Sequence, residues 1–181
     1  MTFAALTRRV REQLDQQHRY AHSVRVARCA DILAQRHGLD ARKARVAGML
    51  HDLARLYSAE RLIAESEARG LPISVREREH PTLLHARLGA ALARELFGVA
   101  DPEILSAIEK HTLGADAMSP LDCAVYLADS LEPHRAFAER AELWDLALRD
   151  LQAATRETMR HAAEHHARKA AAAARTLSSA S

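Results

Sequence analysis

Apolar residues in this chain recur at helical spacing between strong start and stop signals, and no run alternates apolar with polar residues as a half-buried strand would. Asp40 stands as an N-cap. Asp101-Pro102 and Ser119-Pro120 each place a capping side chain before a proline at the first helical position, and Gly38 and Gly98 are stop residues. These signals predict helices over about 2–16, 20–37, 41 to 54 or beyond, 59–69, 81–97, 102–112, 120–132 and 138–174, with 71–81 as a loop and a tail from about 162 that frays. The abundance of alanine and leucine points the same way, because both are strong helix formers. The fold class expected is all-α, a helical bundle.

A length of 181 residues suits one domain with a real core. A net charge of +2 is too weak to call for a nucleic-acid partner, which needs a clustered basic surface, but it suits a small anionic substrate. No stretch approaches the roughly 18 consecutive apolar residues of a membrane helix, so no membrane partner is expected. Cys29 and Cys123 both sit in apolar helical patterns, which reads as reduced core thiols in a cytoplasmic protein. The alanine-rich helix faces are compatible with a homodimer.

The 11 histidines fall into two populations. His18, His37, His80 and His134 lie at helix ends or in loops, and His161, His165 and His166 in the polar tail; all seven read as solvated surface residues. The other four begin, end or share apolar stripes on different helices. His22 heads a stripe of Val26, Cys29 and Leu33, and His51 shares a face with Ala47, Leu50 and Ala54. His85 precedes Leu88, Leu92 and Leu96, while His111 closes a stripe of Ile104, Ala107 and Ile108. Asp52 and Asp129 join them. A buried aspartate is costly unless it is paired or bound to metal, and one shared divalent ion satisfies several such groups at once. Imidazole nitrogen with carboxylate oxygen suits zinc, iron, manganese or cobalt.

The order His22, His51-Asp52, His85, His111, Asp129 resembles the HD-domain superfamily of metal phosphohydrolases. The surrounding text resembles its YqeK-type members: Arg19-Tyr20-Ala21-His22, Gly48-Met49-Leu50-His51-Asp52-Leu53, Leu84-His85 with Gly89, Lys110-His111-Thr112, and Ala128-Asp129-Ser130-Leu131-Glu132-Pro133. The likeness spans about residues 18–150, which divides the chain into an N-terminal helix (1–17) packing on the domain, the HD phosphohydrolase domain (18–150) and a C-terminal helical extension (151–181). Arg55 stands where the family commonly has lysine. Ala174-Arg175-Thr176-Leu177 keeps only an echo of the family's C-terminal segment near the nucleotide.

The resemblance implies symmetrical hydrolysis of a dinucleoside polyphosphate, diadenosine tetraphosphate, to two ADP, by water activated on an iron-type divalent metal and attacking a β-phosphorus. One or two ions are expected, iron first, with manganese, cobalt or zinc as alternatives. His22, His51, Asp52 and Asp129 are the expected metal ligands; Asp52, His85 and His111 are the expected catalytic side chains. His85 and His111 would contact phosphate beside one metal or ligate a second. Arg19, Arg55 and Arg135, ordinary solvated arginines on sequence alone, fall in family register for the polyphosphate oxygens, and Thr112 for a phosphate hydrogen bond. Gly48 and Gly89 would let a helix or ligand approach closely. Tyr126 and Trp144 suit the core better than an adenine stack. Other HD nucleotide hydrolases (deoxynucleotidase, cyclic-nucleotide or alarmone hydrolase) and an inactive nucleotide-sensing module are the competing readings.

Overall fold

A computed structural model describes residues 2–178, with residue 170 and residues 173–178 described by their backbone alone. Ten α-helices follow in order: α1 (Phe3–Gln13), α2 (Gln17–Arg36), α3 (Ala41–Leu50), α4 (Ala59–Ala68), α5 (Val75–Glu79), α6 (Leu84–Phe97), α7 (Pro102–Lys110), α8 (Pro120–Leu131), α9 (Arg140–Ala147) and α10 (Leu151–Ser178). A 3-10 turn at Pro81–Leu83 leads into α6, and there is no strand among the described residues. The all-α reading is therefore correct.

The caps read from the sequence are in place. The Asp40 carboxylate accepts from the N–H groups of Arg42 and Lys43, and Asp101 accepts from Glu103. Ser119 and Asp122 form a reciprocal capping box at the start of α8. Gly98 ends α6 at φ 67°, a left-handed conformation that only glycine enters without steric cost.

Three elements differ from expectation. The helix expected to reach residue 54 or beyond ends at Leu50, so that His51 and Asp52 lie in the turn after it. Residues 71–81 are not all loop: Ser74 caps Glu77 and Glu77 caps Ser74 in return, which is enough to nucleate the five-residue α5. The single last helix expected over 138–174 is two. The chain turns at Leu148–Asp150, where the Asp150 carboxylate accepts from the Ala153 N–H and starts α10 afresh. The α10 helix continues to Ser178, through the stretch expected to fray. The Ala174–Leu177 segment has no described side chains, and residues 179–181 lie outside the described residues.

The bundle is organised around α2, α3, α7 and α8. Helix α2 packs on α3 and α8, α7 on α6, α8 and α3, and α10 on α8 and α9. Leu6 and Val10 of α1 are buried in the same core as Val26, Leu50 and Leu88. Leu127, Leu131, Leu143 and Ala154 form a second cluster where α8, α9 and α10 meet. Gly48 is a packing glycine: a Cβ there would lie 2.9 Å from the Ala27 Cα, so its absence lets the α2 and α3 backbones touch. Tyr126 is core, Trp144 packs against both clusters, and Cys29 and Cys123 are buried free thiols. Leu96, placed on the His85 stripe by spacing, is instead 41% exposed, because the stripe rotates off the core in the last turn of α6.

Candidate metal centre

Close packing of α2, α3, α7 and α8 brings the ends of several helices to one point. His51 follows the last residue of α3 and His111 the last residue of α7. The final carbonyls of a helix have no intrahelical N–H partner, and each imidazole uses one. His51 donates Nδ1–H to the Gly48 carbonyl at 2.8 Å and His111 to the Ile108 carbonyl at 2.7 Å. His85 does the same to the Thr82 carbonyl in the 3-10 turn. His22, in the second turn of α2, places Nδ1 3.2 Å from Glu132 Oε1. A carbonyl or carboxylate can only accept, so all four Nδ1 atoms carry a proton, which leaves the four Nε2 atoms as the positions that a metal can bind.

Those Nε2 atoms meet each other and two carboxylates. His22 Nε2 lies 2.9 Å from Asp129 Oδ1 and 3.9 Å from Asp52 Oδ2. His51 Nε2 is 3.5 Å from Asp52 Oδ2 and 3.8 Å from Asp129 Oδ1. The other Asp52 oxygen, Oδ1, faces His85 Nε2 at 3.5 Å and His111 Nε2 at 3.8 Å. His85 and His111 bring their Nε2 atoms within 3.1 Å of each other. Thr112 Oγ1 lies 3.2 and 3.1 Å from that pair, but its one proton can serve only one of them. The Nε2 atoms of His22 and His51 are buried with no hydrogen-bond partner. Lone pairs and carboxylates pressed together this closely repel unless protons or a cation lie among them.

The charge states carry the same message. Burial pushes the Asp52 carboxyl upward, but His51, His111 and His85 around it outweigh that and hold it well below the usual range. Burial also opposes ionisation of Asp129, and His22, His51 and Arg135 overcome it. Burial alone would lower His51, yet the two carboxylates carry it up to about 9, whereas buried His111 falls to about 3. Two ionised carboxylates thus draw positive charge to one spot, which a proton on His51 supplies and a divalent ion would supply in its place. The donor chemistry fits a divalent metal. His22, His51 and Asp129 keep their ligand atoms within 4.8 Å of one another, as do His51, Asp52 and His111. Asp52 faces both groups, one oxygen to each.

The surrounding cations divide. Arg19 Nη1 reaches Asp52 Oδ2 at 3.4 Å. Arg135 donates to the Asp129 carbonyl at 2.8 Å and to its carboxylate at 2.5 Å. Arg55 is half-buried, is close enough for its charge to add to the burial that lowers His85, and has no carboxylate partner among the described residues. Gly89 packs under the site, where a Cβ would come within 3.2 Å of the His51 carbonyl.

Sequence reasoning missed Glu132, which is only 2% exposed. It binds His22 Nδ1 through one oxygen and accepts from Arg25 Nε at 2.6 Å through the other. It therefore sets the tautomer of His22, and Arg25 keeps it ionised. Glu132 is held down to about 2: burial opposes this, but the hydrogen bond from Arg25 prevails. Its signals in the sequence are its place in the motif around Asp129, three residues on and just past the end of α8, where it was given no role. Two histidines read as solvated have partners instead: His37 Nε2 lies 2.7 Å from the Ala147 carbonyl and His161 Nε2 2.9 Å from Glu139.

Comparison with known proteins agrees with this geometry. A sequence model of the HD domain matches residues 19–134. The chain is 37% identical over 152 residues to a symmetrical bis(5'-nucleosyl)-tetraphosphatase of Bacillus subtilis, covering 84% of this chain and 81% of that protein. It is 35% identical over 146 residues to the protein of the same name from Halalkalibacterium halodurans, covering 76% and 73%. Among solved structures, it matches a predicted HD superfamily hydrolase involved in NAD metabolism from Clostridium acetobutylicum. That match has a TM-score of 0.88 and 32% identity and covers 94% of this chain and 89% of that one. The chain belongs to the HD domain family.

Proposed function

We propose that the protein is a metal-dependent hydrolase that cuts diadenosine tetraphosphate symmetrically into two molecules of ADP. The observation that carries this reading is the convergence of four imidazole Nε2 atoms and two ionised carboxylates on one buried point, with His85 and His111 Nε2 only 3.1 Å apart. The names of the relatives support the choice of substrate. Residues 18–150 carry the chemistry, α1 contributes packing, and α10 extends the bundle. No helix is long and apolar enough to cross a membrane among the described residues.

His22, His51, Asp52 and Asp129 hold the principal ion, iron in our reading. When bound, it supplies positive charge for the phosphate oxygens and makes water acidic enough to act as a nucleophile near neutral pH. His85 and His111 take either a second ion or a phosphate oxygen, with Thr112 donating its hydroxyl beside them. Arg55, free of a carboxylate partner, is placed to fork onto the polyphosphate. Arg19 and Arg135 brace Asp52 and Asp129 and turn part of their charge to the substrate. Asp52, acting through both oxygens, aligns the reacting groups from one rigid side chain.

Incubation with diadenosine tetraphosphate and chromatography of the products test this. ADP as the sole product is expected. ATP plus AMP would move the site of attack, and nucleotide binding without turnover under any divalent metal would make the protein a sensing module.

A further inference from the structure

A cavity of about 400 Å³ lies beside the metal centre, between the end of α8, the loop after it and α10. Asp129, Ser130 and Arg135 line one side of it, so it shares Asp129 with the ion site. Phe137 and the α10 residues Thr158, His161 and His165 line the rest. The Phe137 and His161 rings are stacked, with centroids 5.2 Å apart and planes inclined by 29°. Glu139 holds the imidazole from its far edge, at 2.9 Å from Nε2. Thr158 is 5% exposed, and its buried hydroxyl has no hydrogen-bond partner. A flat aromatic pair braced by Glu139, with an arginine on the side facing the ion site, makes a cavity of the size and chemistry that accepts a heterocyclic base.

We propose that this cavity is a nucleoside subsite, in which one base of the dinucleotide rests against the Phe137–His161 pair while its phosphates pass Arg135 to the ion. The assignment rests on the dinucleotide reading above and makes His161, outside the region of the family match, a residue that sets nucleoside affinity in this chain. Base stacking on a ring is sequence-tolerant, so the subsite accepts purines generally and tolerates exchange of adenine for guanine.

The test is calorimetric titration of the metal-loaded protein with ADP and, separately, with inorganic pyrophosphate, which has no base. His161→Ala is expected to weaken ADP binding by about 5-fold or more and to leave pyrophosphate unchanged, and His161→Phe to restore ADP binding. Glu139→Gln separates the platform from its brace and is expected to cost less than His161→Ala. Unchanged ADP affinity in His161→Ala, equal losses for both ligands, or failure of the wild-type protein to bind ADP would each overturn the subsite. If ADP binding depends on His161 but diadenosine tetraphosphate is not cut, the subsite stands and the proposed activity falls.

Discussion

At the scale of single residues, the centre depends on which nitrogen of each histidine carries the proton. Three histidines are set by carbonyls of their own chain three residues back, so their tautomers come with the fold. His22 is the exception, since its Nδ1 is fixed by Glu132, 110 positions away. Glu132→Gln is therefore predicted to lower metal affinity about 10- to 100-fold, as loss of a partner behind a ligand typically does, while circular dichroism shows the helix content intact. Unchanged metal affinity would mean that Glu132 serves only Arg25. The six donors were legible in the sequence because polar metal-type side chains on apolar stripes are anomalous. Glu132 was not, because an acid before a proline at a helix end looks solvated until α2 is seen packed on α8.

At the scale of elements, position is set by helix ends and by close backbone contact. Gly48 keeps α3 against α2, one turn ahead of His51. Gly48→Val forces bulk against the Ala27 backbone and is predicted to cost about 1–3 kcal/mol by overpacking, read as a lower denaturant midpoint. Because His51 sits at the end of the same helix, the variant also loses metal affinity; a variant that keeps both stability and metal would contradict this account of the packing. Asp150→Ala removes the cap that separates α10 from α9 and is predicted to cost about 1 kcal/mol, measured by the same unfolding curves, without changing metal affinity. The break at Leu148–Asp150 escaped the sequence reading because apolar spacing runs through it and a lone aspartate is a weak stop. The α5 helix escaped because five residues are too few to show a period, although Ser74 and Glu77 carry the capping-box spacing.

For the whole molecule, fold class and helix order were readable because most helices carry their own punctuation, but the count was not, since eight helices were expected where ten form among the described residues. How the helices converge was not, since it depends on contacts between distant segments such as α2 with α8 and α3 with α7. The proposed ligands, from α2, the end of α3 and α8, would make the ion a cross-link of the bundle. A ligand that binds only the folded state at 100 times its dissociation constant adds about 2.7 kcal/mol. Chelation is accordingly predicted to lower the melting temperature by roughly 5–10 °C, and readdition of a divalent ion to restore it. An identical melting temperature with and without chelator would argue against an ion held by these helices.

The most direct test is elemental analysis of protein purified without oxygen, wild type beside Asp52→Ala, with turnover of diadenosine tetraphosphate measured on the same samples. The account predicts a bound divalent transition metal and ADP release in the wild type, and loss of both in a variant that remains folded. A metal-free wild type that turns over at full rate, or an Asp52→Ala protein that keeps its ion and its activity, would contradict it.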